Sequence, residues 1–268
     1  MKKLNCSKEF KHVLTEVSTV ADFLWQKGWA ERNGGNISIN VSAEFKKTKK
    51  SVRFIENSNI PAGLENQAFF VTGTGCRMRD LIQEATITSN SCVIKIASDC
   101  KGYYFVWGGE PANFMPTSEL PSHLTLHLDL INRGTNHKAV VHTHPTELIA
   151  LTHAPDYAHF SAKLTKQLWK MLPEVRAFVP KGIEIVPYTL PGSAKLAELT
   201  VKALQQHDIA LWEKHGAVAT GETVQTAFDF IDVANKGAKI FLQCLAANFI
   251  PEGISDQALQ ELAQEFNL

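Results

Sequence analysis

The chain has 268 residues, 44% of them hydrophobic, which is enough for a full core in one large domain or two small ones. Lys plus Arg (27) equals Asp plus Glu (27), so no electrostatic footprint points to nucleic acid or a membrane surface, and any anionic ligand must be met locally. No linker, internal repeat or low-complexity tract divides the sequence, which predicts a single domain over residues 1–268.

Five cysteines, Cys6, Cys76, Cys92, Cys100 and Cys244, are odd in number and lack Cys-x-x-Cys spacing. That argues against a disulfide framework and a zinc ribbon and predicts reduced, mostly buried thiols. The basic N-terminus, residues 1–8, continues into polar residues instead of an apolar run, and no stretch approaches the ~18 apolar residues of a membrane span. A soluble cytoplasmic protein is expected.

In chain order, Phe10, Val13, Leu14, Val17, Val20, Ala21 and Leu24 recur at three- and four-residue steps, predicting an amphipathic helix over about residues 8–27 that Gly28 caps. Asn33-Gly34-Gly35-Asn36 then feeds a strand in which Ile37 and Ile39 alternate with polar residues. Paired glycines let backbone amides approach an anion, although the same four residues also make an ordinary tight turn. Lys46, Lys47, Lys49, Lys50 and Arg53 mark a solvated basic hairpin over about residues 41–58. Phe69-Phe70-Val71 reads as a short strand entering Thr72-Gly73-Thr74-Gly75, a second loop suited to phosphate oxygens but without the Gly-Lys-Ser/Thr ending of a nucleotide loop.

Residues 91–96 and 103–107 read as paired strands. Thr117 or Ser118 can cap a helix whose first turn holds Glu119 and Pro121, with Leu120, Leu124, Leu128 and Ile131 on its apolar face. Glu119 on its own would simply complement the helix dipole. His123 and His127, one turn apart, have a spacing that could bind metal, but better ligands exist elsewhere and the pair is expected at the solvent or core edge. Helices are predicted over residues 146–153 and 158–170, a break at Pro173, a strand over 183–187, a helix over 193–206, strands 209–212 and 217–219 flanking His215, and a helix from Thr223 to about Asn248. Gly237 inside that last helix suggests a close-packing point. Short strands mixed irregularly with helices predict an α/β fold, a mixed or mostly antiparallel sheet covered by helices on both sides.

The chemistry centres on residues 139–145. His142 and His144 alternate to one side of a strand that Pro145 ends, so two imidazoles can reach one ion; the alternative is a pair of hydrogen-bonded histidines at a strand edge. His215, again between apolar strands, offers a third. Three imidazoles form an open divalent-metal site, a neighbouring carboxylate such as Glu119 can move a proton, and the two glycine loops can anchor a phosphate away from the reacting carbon. The residues therefore suggest metal-assisted enolate chemistry on a small phosphorylated substrate.

The motifs Asn33-Gly34-Gly35-Asn36-Ile37-Ser38, Val71-Thr72-Gly73-Thr74-Gly75, Thr117-Ser118-Glu119-Leu120-Pro121, His142-Thr143-His144-Pro145 and Lys214-His215-Gly216, in this order, resemble the zinc-dependent class II sugar-phosphate aldolases of the fuculose-phosphate aldolase and ribulose-phosphate epimerase superfamily. The resemblance implies a three-layer α/β/α domain and one Zn2+ per subunit held by His142, His144 and His215, with Glu119 as the acid–base group. It implies a phosphate pocket lined by Asn33, Gly35, Asn36, Thr74, Gly75, Thr117 and Ser118, and a cytoplasmic homotetramer in which Glu174 of a neighbouring subunit sits near the aldehyde. The implied reaction is reversible cleavage of L-rhamnulose 1-phosphate to dihydroxyacetone phosphate and L-lactaldehyde. Fuculose-phosphate cleavage, ribulose-phosphate epimerisation and a non-catalytic binding module on the same fold are the alternatives.

Overall fold

The computed structural model describes residues 7–48 and 53–268. Helix α1 (Lys8–Gln26) starts where Ser7 Oγ accepts from the Phe10 amide at 3.1 Å, and it buries Phe10, Val17, Val20, Ala21 and Leu24 along one stripe. There follow β1 (Asn36–Asn40), β2 (Phe54–Glu56), β3 (Ala68–Thr72), a 3-10 turn at Met78–Leu81, α2 (Glu84–Asn90), β4 (Ser91–Ile96) and β5 (Gly102–Gly108). The second half carries α3 (Leu120–Asn132), β6 (Ala139–Thr143), α4 (Thr146–Leu151), α5 (Ser161–Met171), α6 (Pro173–Phe178), β7 (Ile183–Val186) and α7 (Ala194–Gln206). It ends with β8 (Ile209–Trp212), β9 (Gly216–Gly221), α8 (Val224–Ala246) and α9 (Asp256–Glu265).

The strands form one sheet in the order β2-β5-β4-β3-β1-β6-β9-β8-β7, and among these neighbours only β7 and β8 run parallel. The period of two sorts side chains onto its faces. Ile37 and Ile39 of β1, Ala139 and Val141 of β6, and Ala217 and Ala219 of β9 join the core with α1, α4, α5 and α8. Val140, Ala210, Trp212 and Val218 pack on the other face with Leu126 and Leu130 of α3 and Leu196 and Leu204 of α7. Helices thus cover both faces of a mixed, mostly antiparallel sheet. None of them among the described residues is long and apolar enough to cross a membrane.

Several local expectations change. Helix α3 begins at Leu120 with Glu119 at the N-cap; no side-chain cap bond forms, and Thr117 Oγ1 instead accepts from the Glu119 amide at 3.3 Å. Both flanks of α3 are covered, so His123 and His127 are 2% and 1% exposed, buried and not at the edge. Pro173, read as a break, opens the short helix α6, consistent with proline's fixed φ at a first helical position. Of the basic stretch, residues 42–47 form turns and β2 takes its partner from β5, with Ile55 packed on the core beneath; Lys49 and Lys50 lie outside the described residues. Only Cys92 of the described cysteines is buried, Cys76, Cys100 and Cys244 being half-buried, and Cys6 lies outside the described residues. Burial pushes the Cys92 thiol well up. On α8, a Cβ at Gly237 would sit 3.0 Å from Val175 Cγ2, so that glycine is a close-packing point against α6.

Candidate active site

Strand pairing does most of the assembly. β1 and β6 are antiparallel neighbours with Asn36 opposite His142, and β6 pairs with β9 so that Thr143 lies opposite Ala217, one residue beyond Gly216. His142, His144 and His215 therefore meet at the same sheet end, with one nitrogen of each within 4.8 Å of the others. The β8–β9 turn that presents His215 is tight: the His215 amide donates to Trp212 O at 3.1 Å, and Lys214 accepts a left-handed φ of 61°. Trp212 packs beneath, its ring 4.5 Å from that of His142 and 5.0 Å from that of His215, with its indole N–H held by Thr200 Oγ1 at 2.8 Å.

The imidazoles suit a cation. His142 Nδ1 lies 3.1 Å from Ala217 O, and His144 Nδ1 lies 2.6 Å from Glu31 Oε1. Both acceptors place the ring proton on Nδ1 and leave Nε2 with its lone pair free, which is how outer-shell acceptors orient metal-binding histidines. Burial, aided by the neighbouring imidazoles His144 and His215, holds His142 well below the usual histidine range, and burial also lowers His215. Neutral imidazoles without thiolates are the donor set of an open divalent-metal site.

Two glycines make the approach possible. Gly35 has φ 75°, and a Cβ there would lie 2.8 Å from His142 O. A Cβ at Gly216 would lie 2.6 Å from Thr143 O, 2.8 Å from His142 Cε1 and 2.9 Å from His144 Cδ2.

A pocket of about 180 Å³ opens over the histidines, and every residue of the expected site except Glu174 lines it, together with Gly34 and Gly73. The loops after β3 and before α3 are stitched together: the Thr74 amide donates to Met115 O at 2.9 Å and the Thr117 amide to Thr72 O at 2.8 Å. Those two amides are thereby occupied, so Thr74 and Thr117 can offer an anion only their hydroxyls. Glu119 is 8% exposed, with Oε2 3.9 Å from His142 Nε2. Asn36 Nδ2 donates to Glu119 Oε2 at 2.9 Å, while Asn36 Oδ1 faces His123 Nε2. The Asn36 side chain, at the wall of the pocket, thus bridges the carboxylate and the histidine. Glu174 is exposed on α6 and does not line this pocket.

Sequence reasoning missed Glu31 and Trp212, and it singled out His123 and His127 without their burial. Burial lowers His123 to about 4, the Glu119 carboxylate opposing, and lowers His127 to about 3. The i, i+4 spacing of these two histidines was the one available signal, and it carries no indication of burial.

An open three-imidazole centre with a buried carboxylate at its rim and glycine loops around it belongs to an enzyme that handles a small polar substrate. Residues 15–242 match the Class II Aldolase and Adducin N-terminal domain family, and the chain belongs to that family. It is 43% identical over 260 residues to a rhamnulose-1-phosphate aldolase of Bacteroides thetaiotaomicron, covering 95% of this chain and 94% of that one. A rhamnulose-1-phosphate aldolase of Listeria welshimeri is 33% identical, over 95% of this chain and 92% of its own. Among solved structures, a sugar-phosphate aldolase from Thermotoga maritima superposes with a TM-score of 0.76 at 32% identity, over 91% of this chain and all of that one.

Proposed function

We propose that this chain cleaves L-rhamnulose 1-phosphate reversibly to dihydroxyacetone phosphate and L-lactaldehyde. The observation that carries the reading is the convergence of three neutral imidazoles and the buried carboxylate of Glu119 on one pocket walled by two glycine loops. The names and identities of the two relatives supply the substrate. His142, His144 and His215 would hold a divalent ion, which we assign as one zinc per subunit, and it would supply Lewis-acid polarisation of the substrate carbonyl.

The remaining work falls to side chains. Glu119 exchanges the proton at the carbon of the dihydroxyacetone-phosphate half, its carboxylate held in place by Asn36. Asn33, Gly35, Gly75 and Ser118, with the Thr74 and Thr117 hydroxyls, receive the phosphate through neutral donors. That remote grip fixes the reacting carbon against the site. Trp212 closes the floor and excludes water beneath two of the imidazoles. The exposed position of Glu174 on α6 leaves it available to a neighbouring copy of the chain, so a homotetramer with Glu174 contributed in trans belongs to this reading, as does a cytoplasmic setting.

The test is release of dihydroxyacetone phosphate from L-rhamnulose 1-phosphate, run beside L-fuculose 1-phosphate and L-ribulose 5-phosphate, each with and without chelator. Chelator-sensitive cleavage of the rhamnulose ester in preference to the other two is expected. No turnover of any of the three by zinc-loaded protein would overturn the assignment.

A further inference from the structure

Behind Glu119 lies a run of buried polar groups that the reaction does not touch. Asn36 and Ser38 are two apart on β1 and share a face, while His123 and His127 are four apart on α3 and share a face. Two strand residues advance roughly 6.7 Å and four helical residues roughly 6 Å, so the two pairs match rung for rung where the helix crosses the strand. The rungs are made: His123 Nε2 meets Asn36 Oδ1, Ser38 Oγ lies 2.6 Å from His123 Nδ1, and Ser38 Oγ lies 2.8 Å from His127 Nε2. Asn36 Nδ2 then reaches Glu119 Oε2 at 2.9 Å. All five residues are buried, Ser38 completely.

The chain has one consistent direction. The NH2 end of Asn36 donates to Glu119, so its oxygen, which only accepts, is the end that faces His123. His123 Nε2 therefore carries the ring proton, and in a neutral ring Nδ1 becomes an acceptor. Ser38 must donate to it, and its own oxygen then accepts from His127 Nε2–H. The orientation of the Asn36 amide thus fixes every proton along the series, and the series in turn fixes which end of the amide Glu119 meets.

We propose that His123, Ser38 and His127 are positioning residues for Glu119, holding its carboxylate through the Asn36 amide by this one-way series of hydrogen bonds. The proposal rests on Glu119 being the acid–base group. A set of polar groups that merely satisfy one another would affect stability alone. A positioning series affects the chemical step and the tautomer of His123, and leaves phosphate binding intact.

The experiment uses zinc-loaded full-length protein. Ser38→Ala removes the donor to His123 Nδ1, His127→Phe removes only the outermost donor while keeping an aromatic ring against Phe69, and Ser38→Thr returns a hydroxyl. The expected result for Ser38→Ala is a fall in kcat of about ten-fold with KM within two-fold, the size expected when one buried hydrogen bond is lost. Ser38→Thr should recover most of that loss, and His127→Phe should lower kcat about two- to three-fold, because the inner bonds persist. In 15N-histidine spectra, His123 should hold its proton on Nε2 in the parent and lose that fixed tautomer in Ser38→Ala. An unchanged kcat and tautomer in Ser38→Ala, or a loss confined to KM, overturns the proposal. Should Ser38→Ala unfold, His127→Phe with an unchanged kcat and an unchanged Ser38–His123 signature at lowered melting temperature overturns it equally. The spectra need no substrate, so a fixed Nε2 tautomer in a protein that cleaves none of the three sugar phosphates would fail the substrate reading alone.

Discussion

Gly216→Ala is the sharpest perturbation of the histidine cluster, because it adds one methyl group and removes no interaction. Gly216 is not among the positive-φ glycines, so backbone strain does not enter and the effect is steric. The new Cβ would stand 2.6 Å from Thr143 O, a backbone atom fixed where β6 pairs with β9, and under 3.0 Å from the rings of His142 and His144. The first of these is backbone and cannot swing aside, whereas the two rings can move only by turning. The backbone contact requires β6 and β9 to separate locally, an overpacking cost of about 2 kcal/mol. For a domain of this size that corresponds to a melting temperature lower by roughly 4 °C. The ring contacts turn His142 and His144 away from their shared focus, and loss of such fixed orientation typically weakens metal binding by about ten-fold or more. Chelator competition with a chromophoric ligand reads the affinity, and thermal unfolding of the metal-free protein reads the strain. Parent-like values in both assays would refute the reasoning, since they would mean that the strand end accommodates the methyl group freely.

Glu119→Gln should retain the metal while lowering kcat by about 10²- to 10⁴-fold, and near-normal turnover would remove Glu119 from the proton transfer. Glu174→Ala alone and Glu119→Gln alone should both be nearly inactive, whereas co-expression of the two should restore part of the activity if each pocket borrows Glu174 from a neighbour; no recovery speaks against the shared site. Buried His123 and His127 have folded values of about 4 and 3 against an ordinary 6.5, so both are neutral in either state above pH 6.5 and the unfolded chain takes up their protons first as pH falls. Their contribution to stability is intact above pH 6.5 and is lost between there and about pH 4 and 3. The slope is up to about 1.4 kcal/mol per pH unit for each. Urea unfolding of metal-free protein between pH 7 and 5 measures it, and His127→Phe should remove one proton's share of the slope; an identical slope in that variant contradicts the assignment.

The clustering of His142, His144 and His215 was legible because period-two alternation, a terminal proline and a third histidine before a glycine all appear in local sequence. The glycine loops were legible for the same reason, since conformational demand is written in residue type. What stayed hidden depends on pairing across long separations. Glu31 orients His144 from 113 positions away, and nothing near either residue announces it. His123 and His127 look like an ordinary helical pair until β1 is laid beneath α3, and Asn36 looks like a free amide until both its ends are occupied. β2 was obscured because an edge strand of three residues carries too short a pattern to distinguish from a charged turn.

The separation of the three histidines along the chain also has a temporal side. His142 and His144 leave the ribosome together, but His215 follows roughly seventy residues later, which at about 5–20 residues per second is a delay of roughly 4 to 14 s. In that interval β6 lacks its partner β9, and a nascent chain presents only a two-point grip on any ion it meets. A three-point grip on an ion would therefore wait until β9 has been made and paired. Any ion held by all three imidazoles would then be chosen by the finished sheet and not by the growing chain.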